Sequence, residues 1–487
     1  MPSPMELYPL VVVWLQALGV TPHPTALVAL ADVVTALLAQ QSLRPSAVMR
    51  ALLSPMEVPA RQRYKRVARS WDRPWLTSAW LTPSLVRAVL ALVSMTPVAL
   101  ATASTVVGVA VPPSLLGALP GLPRHLALDS VRCGKWEVFT LGVVWYGRVL
   151  PVGWAVLPYP WPKGRFTPTV CALIRLVAAA WPADVRAHLV ADRAFPSHAV
   201  LQTLRTVGWG WTLRVQARHW VTVGAQAPAG QWARALLAGA VAGAWTASVG
   251  TFGSGLHAIP GHFVVGRGLV VLPAHQRTNG SLRHRAKQFA RRQQHVTTKH
   301  ARQTPDASAE TDRWVILFTS HPGPTCIPAA TCSYRLRWSI EGSYRDAQGG
   351  WDGQHGWDLE PVLTRARDAA HVDRLVGLWA LGTLFQSWVG SQIGMPSVPA
   401  PVAAVVAQWT TTGRLSVWAR GQFALQDRSG HLRAWLIQTL TSGAQHVATA
   451  PPPTIRSFPT LVTTRASRPH RSTPSLVATP TSLAPAA

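Results

Sequence analysis

The acidic side chains of this chain are few and well separated, and three of them stand where metal-assisted phosphate chemistry would need them. Glu341 lies in the stretch YRLRWSIEGSYRDAQ, from Tyr334 to Gln348, among Tyr334, Arg337, Trp338 and Arg345 at helical spacing. Asp129 lies in the run HLALDS and Asp192 in AHLVADRAF, each at the end of an apolar stretch. Three carboxylates brought to one point would offer hard oxygen donors to Mg²⁺ or Mn²⁺ and leave coordination positions for water and phosphate. Two such ions roughly 4 Å apart can activate a water and stabilise the oxygen that leaves in an in-line displacement. Taken singly, each acid has a plainer explanation: a turn cap for Asp129, a salt bridge to Arg193 for Asp192, a helix-surface charge for Glu341.

The bulk composition agrees with a polyanionic partner. Against 19 Asp and Glu the 487 residues carry 46 Lys and Arg, a formal charge of +27. Only Lys65, Lys135, Lys163, Lys287 and Lys299 are lysines, so the charge rests on guanidinium forks that match phosphate oxygens in pairs. Codon bias accounts for Arg over Lys but not for the shortage of acids. A content of 48% hydrophobic residues with 23 Trp excludes a wholly disordered chain. Cys133, Cys171, Cys326 and Cys332 are scattered, with no Cys-x-x-Cys pair, so neither a zinc site nor a disulfide framework is expected. The uncharged run Pro97–Val111 is too short to span a bilayer and no signal peptide opens the chain, so the expected setting is cytoplasmic, with no membrane partner.

The acids need a scaffold, and the hydrophobic pattern supplies one. Residues 1–95 read as short amphipathic helices (Pro9–Leu18, Thr25–Gln41 and Ser46–Leu53) followed by the basic stretch Arg61–Arg69, an N-terminal helical domain suited to DNA binding; 96–123 reads as a linker. From Arg124 the period changes to two. His125–Asp129, Trp136–Trp145 and Arg148–Leu157 read as strands joined by tight Gly turns. A helix at Pro168–Ala180, a strand at Ala187–Ala191, a helix at Ser197–Val207 and a strand at Trp211–Val215 follow. That order is the order of an RNase H-like α/β core over 124–215, in which the first and fourth strands are neighbours and carry Asp129 and Asp192 to one edge. Residues 216–313 interrupt it as a mostly β insertion with a basic loop over Arg277–Arg302. The core resumes over 314–390 with a strand at Trp314–Thr319, the Tyr334–Gln348 helix and a long helix at Val362–Gln386. Residues 391–449 read as a C-terminal region for dimerisation and 450–487 as a disordered tail.

On these residues the chain resembles the insertion-sequence transposases of the DDE type, in the group whose last acid lies in a Tyr-x2-Arg-x3-Glu-x6-Lys signature. Tyr334, Arg337 and Glu341 fill its first three places, and Arg-Trp-x-Ile-Glu over Arg337–Glu341 is equally typical. LALDS with the following YGRVLPVGWAVLP, and LVADRAF with GWTLRV, match the segments around the first two acids, so the resemblance covers about residues 60–390. It implies Asp129, Asp192 and Glu341 as catalytic ligands of two Mg²⁺ or Mn²⁺ ions. It implies Tyr334, Arg337, Arg345, Gln348 and Arg193 as DNA contacts, and for Trp314 either base stacking or a plain core role. The implied partners are transposon-end inverted repeats, target DNA and a second copy of the chain. Two positions depart: Gln348 stands where the signature has Lys, and Val131 where the family has Thr. A catalytically inactive DNA-binding descendant, another metal nuclease on the same fold such as a resolvase or repair enzyme, and a membrane-associated protein are the rival expectations.

Overall fold

A computed structural model of the chain describes residues 4–94, 123–267 and 314–393. There are short breaks at 21–22, 54–57, 225–229, 239, 241–243, 255–256, 324 and 349–356, and a few further positions are described between 421 and 439. The expected linker, the basic loop over Arg277–Arg302, nearly all of the C-terminal region and the tail lie outside the described residues.

The first helices form where apolar spacing and proline punctuation place them. They are α1 (Pro4–Leu18), α2 (Pro24–Gln40), α3 (Pro45–Ala51), α4 (Ala60–Trp71) and α5 (Ser78–Ser94). Pro24 and Pro45 occupy the first turns of α2 and α3, where a missing N–H costs nothing. The N-cap of α3 is therefore Arg44, and Ser46 is already inside the helix. The basic stretch is the exposed face of α4, which buries Val67 and Trp71.

Strands β1 (Arg124–Cys133), β2 (Trp136–Trp145) and β3 (Arg148–Pro158) form an antiparallel meander. The β2–β3 turn puts Tyr146 and Gly147 at φ 48° and 72°, the left-handed pair that matches strand twist in a two-residue hairpin. β3 is an edge strand, which is why it tolerates Pro151 at the register shift opposite Gly142. Helix α6 (Phe166–Ala180), strand β4 (Ala187–Ala191), helix α7 (His198–Val207) and strand β5 (Gly210–Arg214) follow. Ser197 caps α7 by accepting the Val200 amide at 3.3 Å, and Gly208 ends it at φ 75°, so a cap worth about 1 kcal/mol and a glycine stop fix its length.

The remaining strands are β6 (Trp220–Val223), β7 (Gln231–Trp232), β8 (Trp245–Phe252), β9 (Ile259–Arg267) and β10 (Trp314–Thr319). All ten join one mixed sheet in the order β3-β2-β1-β4-β5-β10-β9-β8-β6-β7, with β1, β4 and β5 mutually parallel and the rest antiparallel. The inserted strands thus extend the central sheet, with β10 pairing both β5 and β9, and do not form a sheet of their own.

The last third departs from expectation. The stretch Tyr334–Gln348 is two helices, α8 (Cys326–Arg335) and α9 (Trp338–Gln348), separated by a turn at Leu336–Arg337. Amides of Leu336, Arg337, Ser339 and Ile340 bond three residues back, so the backbone tightens there and the regular helix is interrupted. The long helix is likewise two, α10 (Leu359–Thr364) and α11 (Ala369–Ile393). One apolar cluster runs from α1 and α2 through β1–β5 and α6 to α11, so the N-terminal helices share a core with the sheet. A second, smaller one (Val264, Val315, Leu317, Cys326, Ala330, Tyr334) seats α8 on β9 and β10. Among the described residues no single helix is long and apolar enough to cross a membrane.

Candidate active site

Parallel pairing of β1 with β4 sets Leu128 opposite Ala191, so Asp129 and Asp192 emerge side by side where β4 ends. Side chains alternate across a strand, which sends both carboxylates to the face covered by α8. There the Tyr334 hydroxyl donates to Asp192 at 3.1 Å. Glu341 comes from the first turn of α9.

Arg337 ties the three acids together. Its side chain is 4% exposed, and one Nη1 lies 2.8 Å from Glu341 and 3.6 Å from Asp129. The Asp192 charge also acts on it. Its guanidinium carbon stands 4.4 Å from the Trp338 ring centre and 5.6 Å from that of Tyr334, and its Nε is buried with no hydrogen-bond partner. The expectation of one helix over Tyr334–Gln348 is therefore corrected. Tyr334 ends one helix, Arg337 sits in the turn, and both polar ends are turned onto carboxylates. The turn is what allows a long guanidinium to fold back among them.

The acids are not equivalent. Burial pushes the Asp129 carboxyl up to about 6, against the pull of the Ser130 amide and Arg337, with Glu341 and Asp192 adding to the rise. Burial also raises Asp192, but Arg337, the Arg193 amide, Arg214 and the Tyr334 hydroxyl outweigh it, and this carboxyl lies below its usual range. Arg214, at the end of β5, lies 3.6 Å from Asp192. Burial and the Asp192 charge push the Tyr334 hydroxyl up to about 12, so it remains a donor. Sequence reading missed Arg214 and also Tyr344, whose hydroxyl donates to the Asp129 carbonyl at 3.2 Å. Arg214 had a signal, because a basic residue ending the strand next to β4 must face its last acid.

The other expected site residues are more dispersed. Arg193 is exposed and its carbonyl accepts from Gln216 at 2.6 Å. Trp314 is half-buried at the start of β10, where it lines an open cleft of about 420 Å³ with Arg193, Arg214, Gln216 and Arg218. Arg345 is half-buried on α9, and Gln348 is exposed as its last residue, away from the three acids by two turns of helix.

An all-oxygen donor set that already draws a cation into its centre suits a hard divalent ion in charge and chemistry. Among the described residues, however, no three His, Cys, Asp or Glu side chains are close enough to hold one ion together. The Arg337 guanidinium stands between Asp129 and Glu341 instead.

A second polar cluster lies on the same strands and the same face, four residues earlier. His125 on β1 and His188 on β4 have ring centres 5.4 Å apart, and His188 stacks on His321 at 4.2 Å. Ser333 of α8 bonds His125 at 2.9 Å and His321 at 3.2 Å, while His188 bonds Thr212 at 2.8 Å. Burial, with repulsion between the rings, lowers His125 to about 4 and His188 well below its usual range; burial lowers His321 to about 4.

The sequence matches no protein-family model and no curated protein.

Proposed function

We propose that the chain is a DNA transposase of the DDE type, built on an RNase H-like core, that hydrolyses phosphodiesters at transposon ends and transfers the freed 3′-hydroxyl into target DNA. The observation that carries this reading is the convergence of Asp129, Asp192 and Glu341, from three distant parts of the chain, around Arg337 at the end of the parallel strands. The meander β1–β3 followed by parallel β4 and β5 supports the core assignment.

In the first step a water oxygen attacks phosphorus and the bond from phosphorus to the 3′-oxygen breaks; one water proton ends on that oxygen as the 3′-hydroxyl and the other passes to solvent from the new 5′-phosphate. In the second the 3′-hydroxyl attacks a target phosphorus, the bond from that phosphorus to the target 3′-oxygen breaks and the leaving oxygen takes up a proton, so no covalent protein–DNA intermediate is needed. Two Mg²⁺ or Mn²⁺ ions held by the three acids would supply activation of the attacking oxygen and stabilisation of the leaving one. In the free protein Arg337 offsets part of the acids' charge and Tyr334 donates to Asp192, and Arg337 passes to an incoming phosphate, for which its planar fork is suited. Trp314, beside three guanidinium groups in its cleft, offers a ring face to a base. A second copy of the chain would bring two ends together.

One observation favours a second reading, an inactive DNA-binding descendant. Gln348 brings no charge to the signature's Lys position. The test is cleavage of an end-containing duplex with Mg²⁺ by wild type and by Asp129→Ala, Asp192→Ala and Glu341→Ala. Wild-type cutting that all three variants retain sinks the site assignment. Salt-sensitive binding with no nicking by wild type selects the descendant.

A further inference from the structure

We infer that the tip of the β1–β2 hairpin and the loop between β3 and α6 form a platform for a single-stranded stretch of DNA leading away from the Asp129–Asp192 site. This rests on the function proposed above and adds a surface to it.

The hairpin continues past the end of β4. β1 last pairs β4 at Leu128 and runs on to Cys133, about 15 Å of strand beyond its neighbour. On this projecting tip stand Arg132 and Lys135, both exposed, and beside them the loop residues Lys163 and Arg165, also exposed. Ion pairs among the described residues engage other guanidinium groups, such as Arg148, Arg214 and Arg337, and none of these four cations. The hairpin tip and the loop each carry one of the chain's five lysines.

Aromatic rings are interleaved with these cations. The Arg132 guanidinium lies flat on Tyr159, 3.7 Å from its ring centre, and Tyr159 meets Trp161 at 5.4 Å. Trp161 is 37% exposed, high for a side chain of its size. The Tyr159 amide donates to the Lys135 carbonyl at 2.7 Å, which ties the loop to the hairpin. From Trp161 the ring contacts continue to Phe166 at 5.3 Å and on to Phe195 at 5.7 Å. The Phe195 amide in turn bonds the Asp192 carbonyl. The platform is thus mechanically continuous with the loop that carries one of the acids.

Phosphates spaced along a strand suit the four cations, and an exposed indole held in place by other rings suits an unpaired base. A duplex offers few base faces to such a ring, and so the single strand is the favoured occupant. An anionic membrane surface shares the cation and tryptophan chemistry, and the experiment separates it.

The full chain is titrated against labelled oligothymidine at several salt concentrations, and separately against phosphatidylserine vesicles. Trp161→Ala is expected to weaken oligothymidine binding about ten-fold or more. Lys135→Ala/Lys163→Ala/Arg165→Ala is expected to lower the slope of log affinity against log salt by about two. Unchanged thermal melting of both variants assigns these losses to the surface. If wild type cuts the end duplex yet both variants bind oligothymidine as it does, the platform is wrong and the active-site reading stands. If wild type neither binds nor cuts, both fall. Losses confined to vesicle binding overturn the platform in favour of a membrane.

Discussion

Strand β1, and β4 with the residue that follows it, each carry two polar side chains four residues apart, and the protein treats the two pairs in opposite ways. His125 and His188 sit under α8 as neutral rings, satisfied by Ser333 and Thr212. Asp129 and Asp192 sit where β4 stops, partly open to solvent, and are balanced by Arg337 and Arg214. The buried end can hold polar groups only if they are uncharged and hydrogen-bonded, because a low-dielectric interior penalises charge. The open end can hold charge because solvent and guanidinium groups share its cost. The function proposed for the chain uses the second arrangement.

The comparison breaks most readily at the acids. Asp129→Ala or Asp192→Ala should lower Mg²⁺-dependent cleavage of an end duplex by about three orders of magnitude, or ~4 kcal/mol of barrier. His125→Leu should leave cleavage within several-fold once the protein is folded. Equal losses at both ends would show that the two clusters are one functional unit.

Next comes the stability of the charged end. Arg337→Ala leaves three acids with less compensation and should cost about 3 kcal/mol in urea unfolding at neutral pH. The low end of the range for a broken buried pair applies because Glu341 and Asp192 keep contact with water.

The histidine end should fail in acid. Its rings titrate well below 6.5 when folded and near 6.5 when unfolded, so the unfolded chain binds more protons between pH 6.5 and 4. Stability is therefore full above pH 6.5 and falls towards pH 4, by about 3 kcal/mol for His125 alone. His125→Leu should flatten that slope in thermal melts across this range. Asp129 works against it, since the folded chain takes up its proton at about 6 and the unfolded chain only near 3.8. Carbonyl-detected NMR of the free protein should show Asp129 titrating near pH 6, with Asp192 still ionised where an ordinary carboxyl is half-protonated.

The smallest effect belongs to Gln348→Lys. One added phosphate contact should raise the salt slope of duplex binding by about one and affinity several-fold at low salt. No change would mean that the exposed end of α9 does not meet DNA.

The strands that carry Asp129 and Asp192 were legible because alternation is a local pattern. β2, β4 and β10 occur at the expected residues and β3 extends one residue beyond them, while β1 runs on from the expected His125–Asp129 to Cys133, twice the expected length. The division of Tyr334–Gln348 into two helices was not legible, since side-chain periodicity continues through a short tightening of the backbone. The histidine cluster was missed for a different reason. Each ring sits singly in its own apolar segment, and only pairing of β1 with β4 and the return of α8 over them brings the rings together.

By itself the sequence determined most of the local elements, the excess of positive charge and which acids are candidates for a site, all of which depend on residue type and short-range spacing. The tertiary structure decided that the inserted strands extend the central sheet, that Arg337 turns inward onto the carboxylates, and that neighbouring positions on the same strands become neutral or charged. Those outcomes depend on contacts between residues far apart in the chain, and on how much water each position keeps after folding. Neither quantity is written in any local stretch of residues.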